Sequence, residues 1–543
     1  MPAYRRPRRP GHRGQPESAT APGRDTRPGT GQDAGRDAAS HDAGGHTTGR
    51  RDTGRHDTGR HDTARRSALP RRTAYDVLAA VASREAYANL LLPRLIAERG
   101  LAGRDAALAT ELTYGTLRGQ GTYDAVLAAC SDRPLDKLDP PVLLVLRLGA
   151  HQLLNTRVGP HAAVATSVDL AKAVAGPRVS GYVNAVLRRV ATRDLDAWLE
   201  LIAPAVPAAG GPTAGQPDTD DRLALRHSHP AWIVAAYRDA LGGAADEELE
   251  AALAAGNARP RVTLAAFPGG RPREELMPAG AEPGRWSPYA FTIASGDPAD
   301  LTASGEAAVQ DEGSQLAAIA LAGAPLTPGP GRDGAELWLD MCAGPGGKSR
   351  LLAGLATTGD ARLVASEIHA HRAALVQQTL ARSVSSVPHS PDYQVLVADG
   401  RVPPWKSWPD GRFDRVLVDA PCSGLGALRR RPEARWRKSP ADIPALADLQ
   451  RGLLRSALGA VRPGGVVAYV TCSPVPAETS DVVNAVLRAP ADDAIADVQV
   501  LDAPAVLHDV PAVRTADPLF AQLWPHRHGT DAIFIALLRR GTP

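Results

Sequence analysis

An apolar run that ends on an acid and breaks at once into glycines constrains this chain more than any other feature. Leu337-Trp-Leu-Asp340 leads into Met341-Cys-Ala-Gly-Pro-Gly-Gly-Lys-Ser349, and helix-like sequence follows over Arg350–Ala356. A glycine-rich turn between strand and helix lets a ligand approach the backbone and points free helix N–H groups at its polar atoms. Beyond it, short β-rich runs at Leu363–Glu367, Val395–Ala398, Arg415–Asp419 and Val466–Thr471 alternate with amphipathic stretches such as 369–382 and 447–460. That alternation predicts an α/β domain with a parallel, doubly wound, Rossmann-like sheet. Ala532–Leu538 reads as a further strand, at the sheet edge.

Three successive candidate strands end on acids: Glu367, Asp399 and Asp419. All three fall on the carboxyl edge, where open α/β sheets bind ligands. Glu367 follows Gly347 by 20 residues, the interval at which a Rossmann-type acid meets ribose hydroxyls. The loop is not GxGxxG, which argues against NAD. Gly344-Pro-Gly-Gly-Lys-Ser349 lacks the glycine spacing of a phosphate-binding P-loop. S-adenosylmethionine fits better: the acids take its ribose and adenine edge, and Lys348 can pair with its carboxylate.

The same edge carries two cysteines. Cys422 follows the fourth strand in Phe413-Asp-Arg-Val-Leu-Val-Asp-Ala-Pro-Cys-Ser-Gly424, and Cys472 ends the next in Val466-Val-Ala-Tyr-Val-Thr-Cys-Ser-Pro474. Carbon 5 of a pyrimidine is a poor nucleophile. A thiolate adding to carbon 6 converts it into an enamine that accepts a methyl group, which is covalent catalysis. Spacing alone leaves open which cysteine attacks. The other two cysteines, Cys130 and Cys342, complete no CxxC pair and have no nearby histidines, so neither a disulfide framework nor a metal site is expected.

Upstream, residues 1–70 are a low-complexity tail rich in Arg, Gly, Asp and His, with a five-residue repeat from Thr48 to Asp62. It has almost no large apolar side chains and is expected to be disordered. Residues 1–72 hold 16 Arg and 8 acidic residues, whereas the whole chain is only +3, so the remainder is net acidic. Such a chain can touch nucleic acid through a tail and local patches, not over its whole surface. Residues 71–202 carry apolar residues at helical spacing and predict an all-α domain. Residues 203–222 have linker composition, 223–325 form a mixed connecting subdomain, and 326–543 hold the α/β catalytic part. The chain begins without the apolar stretch of a signal peptide and holds no run of 18 apolar residues. A soluble, cytoplasmic monomer that does not enter membranes is expected.

Asp340–Ser349 (DMCAGPGGKS), Asp419–Gly424 (DAPCSG) and Thr471–Pro474 (TCSP), in this order, closely resemble the motifs of the RNA 5-methylcytosine methyltransferase family. Glu111–Arg118 (ELTYGTLR), Leu146–Gly149 and Tyr182–Arg188 (YVNAVLR) are similar to the NusB-type, RNA-binding helical domain of its branch acting on 16S ribosomal RNA. Ser228–Trp232 and Gln310–Ser314 are similar to that branch's connecting segment. The resemblance covers about residues 70–543 and implies roles. Cys472 would be the nucleophile and Cys422 would help resolve the adduct. Cys342, Ala343, Gly344, Pro345, Gly346, Gly347 and Lys348 would hold S-adenosylmethionine together with Glu367, Asp399 and Asp419. Three departures stand out: Gly344 replaces a usual Ala, Ala532 a usual Gly after Thr530-Asp531, and Thr263 a usual Asn.

One further feature points to RNA. Leu428–Lys438 packs six basic side chains and a tryptophan into eleven residues. Arg429, Arg430, Arg431, Arg435, Arg437 and Lys438 are expected to neutralise phosphates, and Trp436 to stack a base. A rival reading makes the chain a NusB-like RNA-binding or antitermination factor with a vestigial catalytic half. An amino-group methyltransferase is disfavoured because Asp419-Ala-Pro-Cys422 replaces the Asn/Asp-Pro-Pro-Tyr clamp such enzymes use.

Overall fold

The computed structural model describes residues 57–84, 86–203, 219–293, 298–328, 335–384, 392–402, 404–407, 413–488 and 497–542. Most of the repeat tail lies outside them. Helix α1 already begins at Asp57, so the end of the segment expected to be disordered is helical. Downstream, Ala74, Val77 and Leu78 bury one face of this helix, and a helix once anchored extends upstream at little cost.

The first domain is all-α: α1 (Asp57–Arg84), α2 (Ala88–Glu98), α3 (Gly103–Arg118), α4 (Gln120–Cys130), α5 (Pro140–Asn155), α6 (Pro160–Ala175), α7 (Ser180–Val190) and α8 (Leu195–Ile202). Helix α7 shows the logic. Val183, Val186, Leu187 and Val190 recur three and four residues apart, and all are buried. Pro140 and Pro160 open α5 and α6, where the missing N–H has no intrahelical partner to lose.

The connecting segment is more regular than its sequence suggests. Helices α9 (Asp220–Arg226), α10 (Ala231–Leu241) and α11 (Ala245–Asn257) precede an antiparallel sheet. Strands β1 (Val262–Ala266), β2 (Glu282–Pro283), β3 (Ala290–Ile293) and β4 (Ala307–Val309) take the order β2-β3-β1-β4. The strands are short, and turn-forming residues separate them, so no sustained alternation marks them.

Helix α12 (Glu312–Gly323) leads to the second sheet. Strands β5 (Glu336–Asp340), β6 (Ala361–Glu367), β7 (Tyr393–Val397), β8 (Phe413–Asp419) and β9 (Val461–Thr471) are parallel and extend the predicted runs by a few residues. Strands β10 (Val498–Leu501), β11 (Ala521–Gln522) and β12 (Phe534–Arg540) follow, and the order is β10-β12-β9-β8-β5-β6-β7, with β11 on β12. The terminal strand is therefore not an edge. It runs antiparallel between β9 and β10, because Val498-Gln-Val-Leu501, too short to stand out in sequence, covers its outer side.

Both faces of the sheet are buried, as a parallel sheet requires. Leu417, Val466, Ala468, Ile535 and Leu537 face one core with α12 and α13 (Gly347–Thr358). Val416, Val418, Val467, Tyr469 and Phe534 face the other with α15 (Ile443–Ala460) and α16 (Ser480–Arg488). Helix α14 (Ala370–Val384) joins β6 to β7. The winding reverses between β5 and its neighbour β8, so the turns after these two strands flank the switch-point crevice.

Candidate active site

Strands β8 and β9 pair in parallel up to Asp419 and Val470, so the turns that follow them leave the sheet side by side. Cys422 and Cys472 sit on those turns, with their Sγ atoms 3.3 Å apart as free thiols. Gly426 fastens the arrangement. Its N–H donates to the Cys472 carbonyl at 2.9 Å, and its own carbonyl accepts from Ala532 N at 2.9 Å. A Cβ at this position would meet Ala532 O at 2.0 Å, so only glycine fits the crossing.

The two thiols are unlike. The hydrogen bond from Cys422 holds the Cys472 thiol below the ordinary range, assisted by the Lys348 and Arg431 cations against burial and Asp419. The same bond, with burial, drives the Cys422 thiol well above it. The pair thus favours Cys472 over Cys422 as the thiol that ionises first.

A cleft of about 1470 Å³ runs along this edge and is lined by both cysteines and by the whole loop Cys342–Lys348 except Gly346. Gly346 turns the chain into α13 at φ +112°, a left-handed conformation that favours glycine. Glu367, Asp399 and Asp419 also line the cleft. Glu367 is buried and accepts from Gly344 N at 3.2 Å and His369 N at 3.0 Å. Asp399 is held low by hydrogen bonds from the Arg401 side chain and backbone. Lys348 Nζ donates to Asp419 Oδ2 at 2.7 Å and lines the cleft. Burial opposes the charge on Lys348, but Asp419 outweighs it and raises the ammonium.

Unpartnered polar groups mark the cleft floor. Asp340 Oδ1 is buried without a hydrogen-bond partner, and burial pushes this carboxyl up to about 7. Both amide atoms of Gln310 are likewise buried and unpaired, next to Gly347 at the start of α13. Unpaired buried polar groups are rare and cost about 1–3 kcal/mol each. Beside the free N–H groups of a helix N-terminus, they fit the zwitterionic amino-acid end of S-adenosylmethionine.

The pattern of the 16S rRNA methyltransferase RsmB/F family matches residues 330–539, and that of the NusB family matches 68–192. The chain is 49% identical over 476 residues to the putative methyltransferase Rv1407 of Mycobacterium tuberculosis, covering 87% of this chain and 96% of that protein. It is 30% identical over 482 residues to the probable ribosomal RNA small subunit methyltransferase B of Bacillus subtilis, covering 87% and 98%. The chain belongs to the RsmB/F family of methyltransferases. The solved structure of PH0851 shares its fold, with a TM-score of 0.68 at 22% identity over 88% of this chain and 99% of that one. Proteins of the RsmB/F family are RNA methyltransferases that use S-adenosylmethionine, and no helix among the described residues is long and apolar enough to cross a membrane.

In this RsmB/F chain Arg429, Arg430, Arg431, Arg437 and Lys438 of the basic run line the cleft, and most of the run is also engaged by the protein itself. Arg435 is fully buried and donates to Ser228 O at 2.9 Å and Asn257 Oδ1 at 2.8 Å, and burial pushes its guanidinium down to about 9. Arg429 binds Asp531 Oδ1 and Asp311 Oδ2, each at 2.6 Å, and Arg430 engages the same two carboxylates. Arg437 donates to Val81 O and Ala86 O in the helical domain, and Trp436 packs against Gly121 of α4. The run is a seam that fastens the helical and connecting parts to the catalytic sheet. Only Arg431 is exposed, while Lys438 is half-buried at the cleft wall.

Sequence reasoning also missed Asp340, Gln310 and Glu478. Asp340 ends a strand as the other acids do, and its position was a usable signal. Glu478, buried and accepting from Ser423 Oγ and Ser473 Oγ, had none, because those two serines stand fifty residues apart in sequence.

Proposed function

We propose that the protein methylates carbon 5 of a cytosine in 16S ribosomal RNA through a covalent bond from Cys472 to carbon 6. The observation that carries this reading is the 3.3 Å contact between two dissimilar thiols at the cleft. The relatives named ribosomal RNA small subunit methyltransferase B support the substrate. Lys348 and Arg431 stabilise the Cys472 thiolate. Its addition to carbon 6 moves the ring electrons onto carbon 5. S-adenosylmethionine, when bound, supplies an electrophilic methyl group. The loop Cys342–Lys348 with Glu367, Asp399 and Asp419 holds that cofactor. Transfer of the carbon 5 proton to solvent, aided by Cys422, then restores the ring double bond and expels the Cys472 thiolate. The target base is flipped out or lies in a loop, because carbon 6 of a stacked, paired base is out of reach. The helical domain over 71–202 guides the RNA.

Bisulfite sequencing of 16S rRNA from cells with and without the protein tests the substrate, and one cytosine should lose protection on deletion. In vitro, Cys472→Ala should abolish methylation and leave S-adenosylmethionine binding intact by calorimetry. A fully active Cys472→Ala protein would overturn the covalent reading.

A further inference from the structure

Between the last β8–β9 backbone bond, Ala420 N to Val470 O, and the bond from Gly426 N to Cys472 O, the two cysteine turns are cross-linked by a side chain. Glu478, in the one-turn helix Pro476–Glu478 after β9, is fully buried. Its Oε1 accepts from Ser423 N at 2.7 Å and from Gln450 Nε2 at 3.2 Å. Its Oε2 accepts from Ser423 Oγ at 2.5 Å and Ser473 Oγ at 2.7 Å. Gln450 Nε2 also donates to Pro421 O at 2.9 Å. Four donors on two oxygens describe an acceptor-only, ionised carboxylate, and such charge-assisted bonds are strong.

Ser423 directly follows Cys422, and Ser473 directly follows Cys472. One carboxylate therefore holds the neighbour of each thiol. We propose that Glu478 is a positioning residue that clamps the two cysteine turns together and fixes the contact between their sulfurs. The carboxylate does not need to reach the substrate to do this. Besides tethering the turns, its negative charge adds to the bond to Cys472 and to burial in raising the Cys422 thiol. The catalytic meaning of the clamp rests on Cys472 being the nucleophile. The thiol asymmetry does not.

Glu478→Gln is nearly isosteric but removes the charge and replaces one acceptor oxygen by a donor, so the charge-assisted bonds are weakened and the two serine hydroxyls must reverse from donor to acceptor. The test uses the full-length protein without RNA. Iodoacetamide labelling of each cysteine is followed by mass spectrometry across a pH series. In the parent protein, Cys472 should label at lower pH than Cys422. In Glu478→Gln the two profiles should draw together, and kcat should fall roughly 10- to 100-fold with KM for S-adenosylmethionine unchanged, the scale of a small misplacement of reacting groups. A folded Glu478→Gln protein with parental labelling profiles and parental kcat would overturn the clamp. Should that variant fail to fold, Ser423→Ala/Ser473→Ala keeps the carboxylate and removes both hydroxyl tethers. It should show the same convergence, and parental profiles there would equally overturn the proposal. Converging profiles together with a fully active Cys472→Ala enzyme would leave the clamp standing and remove only the nucleophile assignment.

Discussion

The carboxyl edge of the large sheet and the basic run Leu428–Lys438 lie close together in sequence and both border the cleft, yet their side chains are placed there by different means. Asp419, Cys422 and Cys472 end on the cleft, as do Glu367 and Asp399. Arg435 disappears into the interior, and Arg429 meets two buried carboxylates. The first set is placed by topology: a residue at the end of a parallel strand emerges at the same rim whatever follows it. The second set is recognised only by composition, and a guanidinium binds whichever carbonyl or carboxylate the fold brings to it. Position relative to a strand end is thus a sturdier sign of a functional side chain than local charge density.

The widest effect expected of this contrast comes from the edge. Cys422→Ala should lower turnover by roughly a thousandfold, the scale on which members of a catalytic unit act, and leave a protein–RNA adduct that migrates slowly on a denaturing gel. Absence of that species would remove Cys422 from the release step. Within the basic run, the double variant Arg429→Ala/Arg430→Ala should cost about 3–5 kcal/mol in denaturant unfolding, because it strands Asp311 and Asp531 in the interior. If it weakened RNA binding without destabilising the fold, the contrast would break. Arg431→Ala should do the reverse, leaving stability unchanged and reducing the slope of log K against log salt for RNA binding by about 0.7. The smallest effect concerns protons. Cys472 is held low by its bond from Cys422, so Cys422→Ala should move the pH midpoint for alkylation of Cys472 upward. An unmoved midpoint would assign the depression to Lys348 and Arg431 alone.

The same contrast explains what could be read in advance. Strands β5, β6, β8 and β9 were legible because each is a continuous apolar run buried on two faces, and the cleft acids were legible with them. The connecting sheet was not, since β2 is two residues long and Val262 of β1 is exposed. Strand β10 was missed for the same reason of length, which misplaced β12 at the edge. Glu478 depends on two serines brought together only by the pairing of β8 with β9, so no local pattern could announce it.

Gly426 touches the Cys472 turn on one side and Ala532 on the other, eleven residues from the last position of the chain. The Cys472 turn is thus buttressed through Gly426 by the segment that leads into β12, so a shift of that segment would disturb the reactive turn without touching either thiol.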